Sequence, residues 1–356
     1  MMKLKGLVVG LLLVCCFAEA GEKKIVIAHR GASGYLPEHS MSAKAMAYAM
    51  GVDYIEQDVV MTKDDRLVVL HDRYLDRVTN VAELYSGRAR KDGRYYVIDF
   101  TLEEIQRLEM TEGFKVKGDK QAAIYPQRFP VWKSSFRVHT FEEEIELIQG
   151  LNHSTGHHIG IYPEIKSPSF SRHEGKDISR AVLKVLKEYG YTAKDDRAYL
   201  QCFDSFELER ISKELLPEFG MDLKLVQLIP YPSWKTSREV YNPIEGTLGT
   251  CDNSWMLKPG AMERIAKYAD GVGPDLGMVV EKKSTKEHLL ITDMVKDAHA
   301  AGMEVHPYTF RAEKVPAYAA SLEEMLDIFF NQVGIDGAFT DFPDRLVDFL
   351  ESSREK

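Results

Sequence analysis

The sequence has little cysteine, no excess of positive charge and no long apolar run beyond its first twenty residues. Four cysteines in 356 residues exclude a disulfide-stapled miniprotein. Cys15 and Cys16 lie in the N-terminal apolar run, which leaves Cys202 and Cys251. Those two are able to pair in an oxidising compartment. Cys202, however, sits inside an apolar run, Ala198 to Phe203, which favours a buried free thiol. Lysine and arginine number 46 against 55 aspartates and glutamates, a formal net charge of −9. That balance disfavours a nucleic-acid partner, whose phosphates call for a basic face. No later stretch approaches the ~20 apolar residues that cross a bilayer, so no stable membrane insertion is expected. No glycine-rich dinucleotide fingerprint follows the first predicted strand, and no Cys/His spacing suggests zinc. Internal repeats and low-complexity tracts are absent too.

What is present begins with an export pattern. Lys3 and Lys5 precede an apolar run, Gly6 to Phe17, and Ala18-Glu19-Ala20 follows it. A basic start, about a dozen apolar residues and an A-x-A site read as a secretory signal peptide over residues 1–20, cleaved near Ala20. The alternative is an uncleaved N-terminal anchor. A lipidated Cys15 or Cys16 fits less well, because Val14 and Cys15 are poor residues just before such a cysteine. Residues 21–356 are then the exported protein. With 44% hydrophobic and 28% charged residues, the chain has the composition of a globular protein with a sizeable core.

Along that body, strand and helix patterns alternate. Ile25–Ala28, Tyr54–Met61, Leu67–Leu70, 159–164, 198–203, Lys224–Ile229, a short run at Gly271-Val272, 304–308 and 338–340 read as strands. Helices are predicted over 37–50, from the Thr140-Phe141-Glu142-Glu143 capping box to about 149, and over 177–189, 206–216, 261–268, 285–301, 322–332 and 345–350. Strands separated by helices imply parallel pairing, and about eight such units imply an α/β protein of TIM (β/α)8 barrel class. An open doubly wound sheet is the alternative. Residues 73–139 break the alternation and read as a small inserted lobe.

In such a barrel the C-terminal strand ends carry the chemistry. The polar residues that end these apolar runs are His29, Arg30, Glu56, Asp58, His71, Glu164, Lys166, His306 and Asp341. Glu56 and Asp58 are two residues apart, so both leave one face of a strand. With Glu164 they make three carboxylates that would repel unless a hard divalent cation sits among them. Taken alone, Glu56 and Asp58 read equally as an exposed, salt-bridged strand face, and Glu164 with Lys166 as a plain ion pair. His29 and His71 together suggest an acid/base pair, because imidazole titrates near neutral pH; singly, each reads as a structural histidine. Arg30 offers a planar fork suited to phosphate or an ordinary salt bridge. His39 reads as a helix-surface or capping residue. His153, His157, His158 and His173 read as solvated, and His306 is ambiguous.

The stretches 29–39 (HRGASGYLPEH), Glu56-Gln57-Asp58, His71-Asp72, 162–166 (YPEIK) and 339–344 (FTDFPD) resemble the bacterial periplasmic branch of the glycerophosphodiester phosphodiesterase family. The likeness runs from about residue 24 to 350. It implies a TIM barrel with an insertion after the second barrel strand, and hydrolysis of small-molecule glycerophosphodiesters to sn-glycerol 3-phosphate and an alcohol. It implies a periplasmic enzyme using Ca²⁺ rather than Mg²⁺, and it is compatible with a homodimer. By position, His29 and His71 match the family's general base and general acid. Glu56, Asp58 and Glu164 match its metal ligands, and Arg30 and Lys166 match residues around the phosphate. The sequence departs from the family around 169–173 and 241–254, two loop stretches expected near the site. Two other classes stay open: a phospholipase-like phosphodiesterase on the same barrel, and a non-catalytic exported binding protein.

Overall fold

The computed structural model describes residues 23–118, 120–234 and 238–354. The predicted signal peptide lies outside the described residues. Eight strands form the barrel: β1 (Ile25–Ala28), β2 (Tyr54–Met61), β3 (Gly160–Ile165), β4 (Tyr199–Cys202), β5 (Lys224–Ile229), β6 (Gly271–Pro274), β7 (Glu304–Val305) and β8 (Gly337–Thr340). They pair in parallel in the order β7-β6-β5-β4-β3-β2-β1-β8. Backbone hydrogen bonds close the remaining seam: Asp336 N–H to Val305 O at 3.1 Å, Phe339 N–H to Pro307 O at 3.1 Å and Phe310 N–H to Phe339 O at 2.8 Å. This is a (β/α)8 barrel, as the alternating pattern implies.

Period-two alternation divides the barrel interior into layers. Ile27, Tyr54, Tyr162, Tyr199, Val226 and Phe339 fill the lower part. Tyr162 and Tyr199 stack with ring centroids 4.7 Å apart. Gly160 leaves room for this plug, since a Cβ there would stand 2.4 Å from the Tyr54 ring. His306 belongs to the plug: it is buried, and its Nδ1 lies 2.9 Å from the Tyr162 hydroxyl. Two residues further up the same strand faces come His29, Glu56, Glu164, Gln201 and Asp341, so the polar layer stands directly on the aromatic one.

Leu67–Val69 is not a barrel strand. It folds back antiparallel on β2, pairing Met61 with Leu67 and Val59 with Val69. The reversal returns the chain to the level of Asp58, whose carbonyl accepts from Leu70 N–H at 2.9 Å. The segment that follows, up to Thr140, gathers a core of its own from Leu70, Leu75, Val78, Phe100, Leu108 and Val138.

Several helices differ from their predicted spans, among them the one expected to end near 149, which runs Phe141–Thr155, and the last, which runs Pro343–Arg354. The first, α1, is Met41–Ala49, because Ser40 caps it by accepting from Ala43 N–H and Pro37–His39 forms a turn. The helix expected over 285–301 is confined to Met294–Ala300. Residues 284–292 loop instead, with the Ser284 hydroxyl accepting from Leu290 N–H at 3.0 Å. Side-chain hydroxyls of this kind compete with helical backbone bonds. Pro168–His173 forms a short helix and Glu239–Asn242 pairs with Thr247–Thr250 as a hairpin, where the sequence shows only loops. Cys202 and Cys251 are both free thiols, Cys202 buried.

A buried charge network fastens β2 to the helical layer. Lys44 on α1 is fully buried; its Nζ lies 2.8 Å from Glu144 Oε1 on α2 (Phe141–Thr155) and donates to the Glu56 carbonyl. His139 Nε2 is 2.7 Å from the other Glu144 oxygen, and Gln57 Nε2 donates to Oε1 at 2.8 Å. Burial works to raise the Glu144 pKa, but Lys44 and His139 prevail and hold it at about 2. Its folded pKa is therefore below the unfolded 4.5, and the stabilisation is full above pH 4.5 and lost as pH falls through about 2. The contribution is on the order of 3 kcal/mol. Glu144→Gln is expected to lower stability at pH 7 and to flatten the acid-unfolding curve between these limits. Unfolding curves against pH that coincide with wild type would refute it.

Candidate active site

Glu56 and Asp58 point into the barrel from β2, and Glu164 from β3, where it is paired in register with Asp58. The three carboxylates are buried, and each offers an oxygen within 4.8 Å of the others. Glu56 Oε2 accepts from the Arg30 backbone N–H at 2.9 Å, and Oε1 from Gln201 Nε2 at 3.0 Å. Asp58 Oδ2 lies 2.7 Å from His39 Nε2, while its Oδ1 is buried and accepts no hydrogen bond. Lys166 Nζ sits 2.7 Å from Glu164 and 3.6 Å from Asp58.

The electrostatics of this cluster are unbalanced. Burial and the adjacent Asp58 push the Glu56 carboxyl well above the usual carboxylate range. Burial, opposed by Lys166 but helped by Asp58, takes Glu164 to about 8. Burial also acts to raise Asp58, but Lys166 and His39 overcome it and hold Asp58 well below its ordinary value. Left to themselves, then, two of the three carboxyls, Glu56 and Glu164, are driven toward their protonated forms. An all-oxygen donor set, a buried acceptor with no donor and carboxylates driven toward protonation fit a hard divalent cation.

The two histidines flank this cluster. His29 ends β1; its Nδ1 lies 2.6 Å from Asp341 Oδ1, and its Nε2 lies 3.8 Å from Glu56 Oε2. His71 follows the reversed strand, with Nδ1 2.6 Å from Asp72 Oδ1. Burial, reinforced by Arg30, lowers His29 to about 4; burial with Arg30 and Lys166 does the same to His71. Both rings are therefore neutral at pH 7. A carboxylate at Nδ1 requires the proton there, which leaves each Nε2 with a free lone pair. Arg30 adopts φ +59° and is braced by Glu38, whose Oε2 accepts from Nη1 at 2.7 Å.

His29, Arg30, Glu56, Asp58, His71 and Glu164 line one cavity of about 410 Å³, walled on the other side by Phe203, Trp234 and Tyr308. Lys166 lines the pocket that adjoins it through His71 and Glu164. The seven residues given site roles in the sequence thus meet at one mouth of the barrel. His306 does not; it serves the aromatic plug below. His39 is not on a helix surface. It is fully buried at φ +60° and holds Asp58, a role that its place in the 29–39 stretch hinted at but helical periodicity could not show. Gln201, which braces Glu56, lies inside β4 and carried no sequence signal. His153, His157, His158 and His173 are exposed as expected.

Comparison with known proteins gives a consistent result. The sequence model described as "Glycerophosphoryl diester phosphodiesterase family" matches residues 29–345. The chain is 56% identical over 329 residues to a Haemophilus influenzae protein named glycerophosphodiester phosphodiesterase, covering 92% of this chain and 90% of that one. It is 45% identical over 334 residues to a Treponema pallidum protein of the same name, covering 94% and 93%. Among solved structures, a Silicibacter pomeroyi protein described as a glycerophosphoryl diester phosphodiesterase superposes with a TM-score of 0.63 at 21% identity, covering 94% of this chain and 95% of that one. An Oleispira antarctica phosphodiesterase solved with sn-glycerol-3-phosphate gives 0.56 at 21% identity, covering 92% and 96%. At these identities the structures attest the fold.

Proposed function

The chain belongs to the glycerophosphoryl diester phosphodiesterase family and is a glycerophosphodiester phosphodiesterase, and from that premise we propose that it releases sn-glycerol 3-phosphate from small glycerophosphodiesters such as glycerophosphocholine and glycerophosphoethanolamine. In this reading His29 and His71 are the acid/base pair, and Glu56, Asp58 and Glu164 hold a divalent cation, Ca²⁺. One observation carries it: two histidines with Nδ1 tied to aspartate flank three buried carboxylates in a single cavity.

The chemistry follows from charge. A phosphodiester anion repels a nucleophile, and the bound cation would neutralise charge on its non-bridging oxygens. Arg30 and Lys166 add fixed positive charge on either side of the carboxylates, and burial strengthens their hold on an anion. The bare Nε2 of His29 takes the proton of the nucleophile, which is either water, giving glycerol 3-phosphate directly, or the neighbouring glycerol hydroxyl, giving a cyclic phosphate that a water then opens to glycerol 3-phosphate. Asp341 stabilises the imidazolium that results. His71, favoured in its protonated form by the substrate's negative charge, donates from Nε2 to the departing alcohol oxygen, with Asp72 fixing its ring. The assignment of base to His29 and acid to His71 rests on the family resemblance.

Neither open alternative is favoured, since the near relatives carry the phosphodiesterase name over nine-tenths of their length. Among the described residues no helix is long and apolar enough to cross a membrane. The periplasmic placement rests on the N-terminal sequence pattern. The test is glycerol 3-phosphate release from glycerophosphocholine by the purified chain. EDTA is expected to stop release and Ca²⁺ to restore it. Release that is indifferent to EDTA would remove the cation from the mechanism.

A further inference from the structure

Each histidine is held by an aspartate, and each aspartate is in turn engaged by an arginine from the segment inserted between the barrel units. Arg77 Nε forms an ion pair with Asp72 Oδ2 at 3.2 Å without hydrogen-bond geometry, and its Nη2 donates to Glu38 Oε1 at 2.5 Å. Glu38 is the carboxylate that braces Arg30. Arg128 approaches from the other side. Its Nη2 donates to Asp341 Oδ2 at 2.5 Å, Nε to Glu313 Oε1 at 2.6 Å and Nη1 to the Ser33 carbonyl at 3.2 Å. The Arg128 side chain is only 5% exposed, and its guanidinium also lies over the Tyr125 ring. On the barrel itself, Arg311 Nε reaches the same Asp341 oxygen at 2.6 Å, whereas Asp72 is within ion-pair distance of no barrel arginine among the described residues.

A carboxylate anchored at one oxygen by a guanidinium is restrained in place, and it passes that restraint to the ring it binds through the other oxygen. We propose that the inserted segment is a positioning device for catalysis: Arg128 and Arg77 are positioning residues that fix His29 and His71 through Asp341 and Asp72. The inference rests on the acid/base reading of the two histidines. It differs from a mere lobe-to-barrel staple, because a staple would affect stability alone, whereas a positioning contact sets the tautomer and aim of the ring.

The decisive variant is Arg128→Gln in the full chain, assayed with glycerophosphocholine at saturating Ca²⁺. Its kcat is expected to fall roughly 10–100-fold, with KM changed by no more than about twofold. In ¹⁵N spectra the His29 ring is expected to leave its single Nδ1–H form for a tautomer mixture. Combined with His29→Ala, the substitution should cost nothing further, because the ring it aims is gone. Arg77→Gln should lower kcat as well and also raise KM, through Glu38 and Arg30. If Arg128→Gln does not fold, Arg128→Lys keeps the charge without the fork and is expected to show a smaller kcat loss with the same spectral change. Wild-type kcat in a folded Arg128 variant, or an equal loss in the presence and absence of the His29 ring, would overturn the proposal. Wild-type turnover by His29→Ala alone would overturn instead the acid/base reading beneath it, so the two failures are separable.

Discussion

Replacing either histidine of the proposed acid/base pair is expected to be the most damaging change to turnover: His29→Ala and His71→Ala should each lose roughly 10²–10⁴-fold in kcat and retain the fold. Neither ring is part of the hydrophobic clusters that build the barrel or the inserted segment. Removing His29 leaves Asp341 with two arginine partners, and removing His71 leaves Asp72 paired with Arg77. No carboxylate is therefore orphaned, which is the usual route to a large stability loss. Turnover measured beside thermal unfolding checks both parts. A folded His29→Ala enzyme with wild-type rates would contradict the acid/base assignment.

The second large effect concerns Glu56, and it has two opposite signs. In the metal-free protein Glu56→Gln removes one of three crowded carboxyls, and a neutral amide suits a site where burial and Asp58 already drive Glu56 toward protonation. Stability in EDTA is therefore expected to be unchanged or higher. At the proposed cation site the same substitution would delete an anionic oxygen donor, and the Ca²⁺ needed for half-maximal activity should rise roughly tenfold or more. Calorimetric titration of Ca²⁺ should show the same weakening without substrate. A variant that is destabilised in EDTA yet keeps wild-type half-saturation would show that Glu56 is a structural carboxylate.

Much of this was legible in the order of residues. The alternation of apolar strands with helical runs reports parallel pairing, because a parallel partner needs a crossover. The Glu56-Gln57-Asp58 period places two carboxylates inside and Gln57 outside, where it joins the Glu144 network. Polar residues at the ends of apolar runs point to a barrel mouth. These are local signals: they depend on strand periodicity and on neighbours one or two positions away.

The rest was decided by contacts distant in sequence. His29 and Asp341 are 312 residues apart and Arg128 and Asp341 are 213 apart, yet both pairs are hydrogen-bonded. Nothing in Leu67–Val69 announces that it turns back on β2 and so delivers His71 beside Asp58. His39 looks like the start of a helix until its positive φ swings it under Asp58. The sequence alone determined which side chains share one face of a strand, because a strand's two faces are set by its own period. Only the closed barrel decided which oxygen and nitrogen atoms meet there and what state of charge they hold, because those depend on burial and on partners that the fold alone brings together.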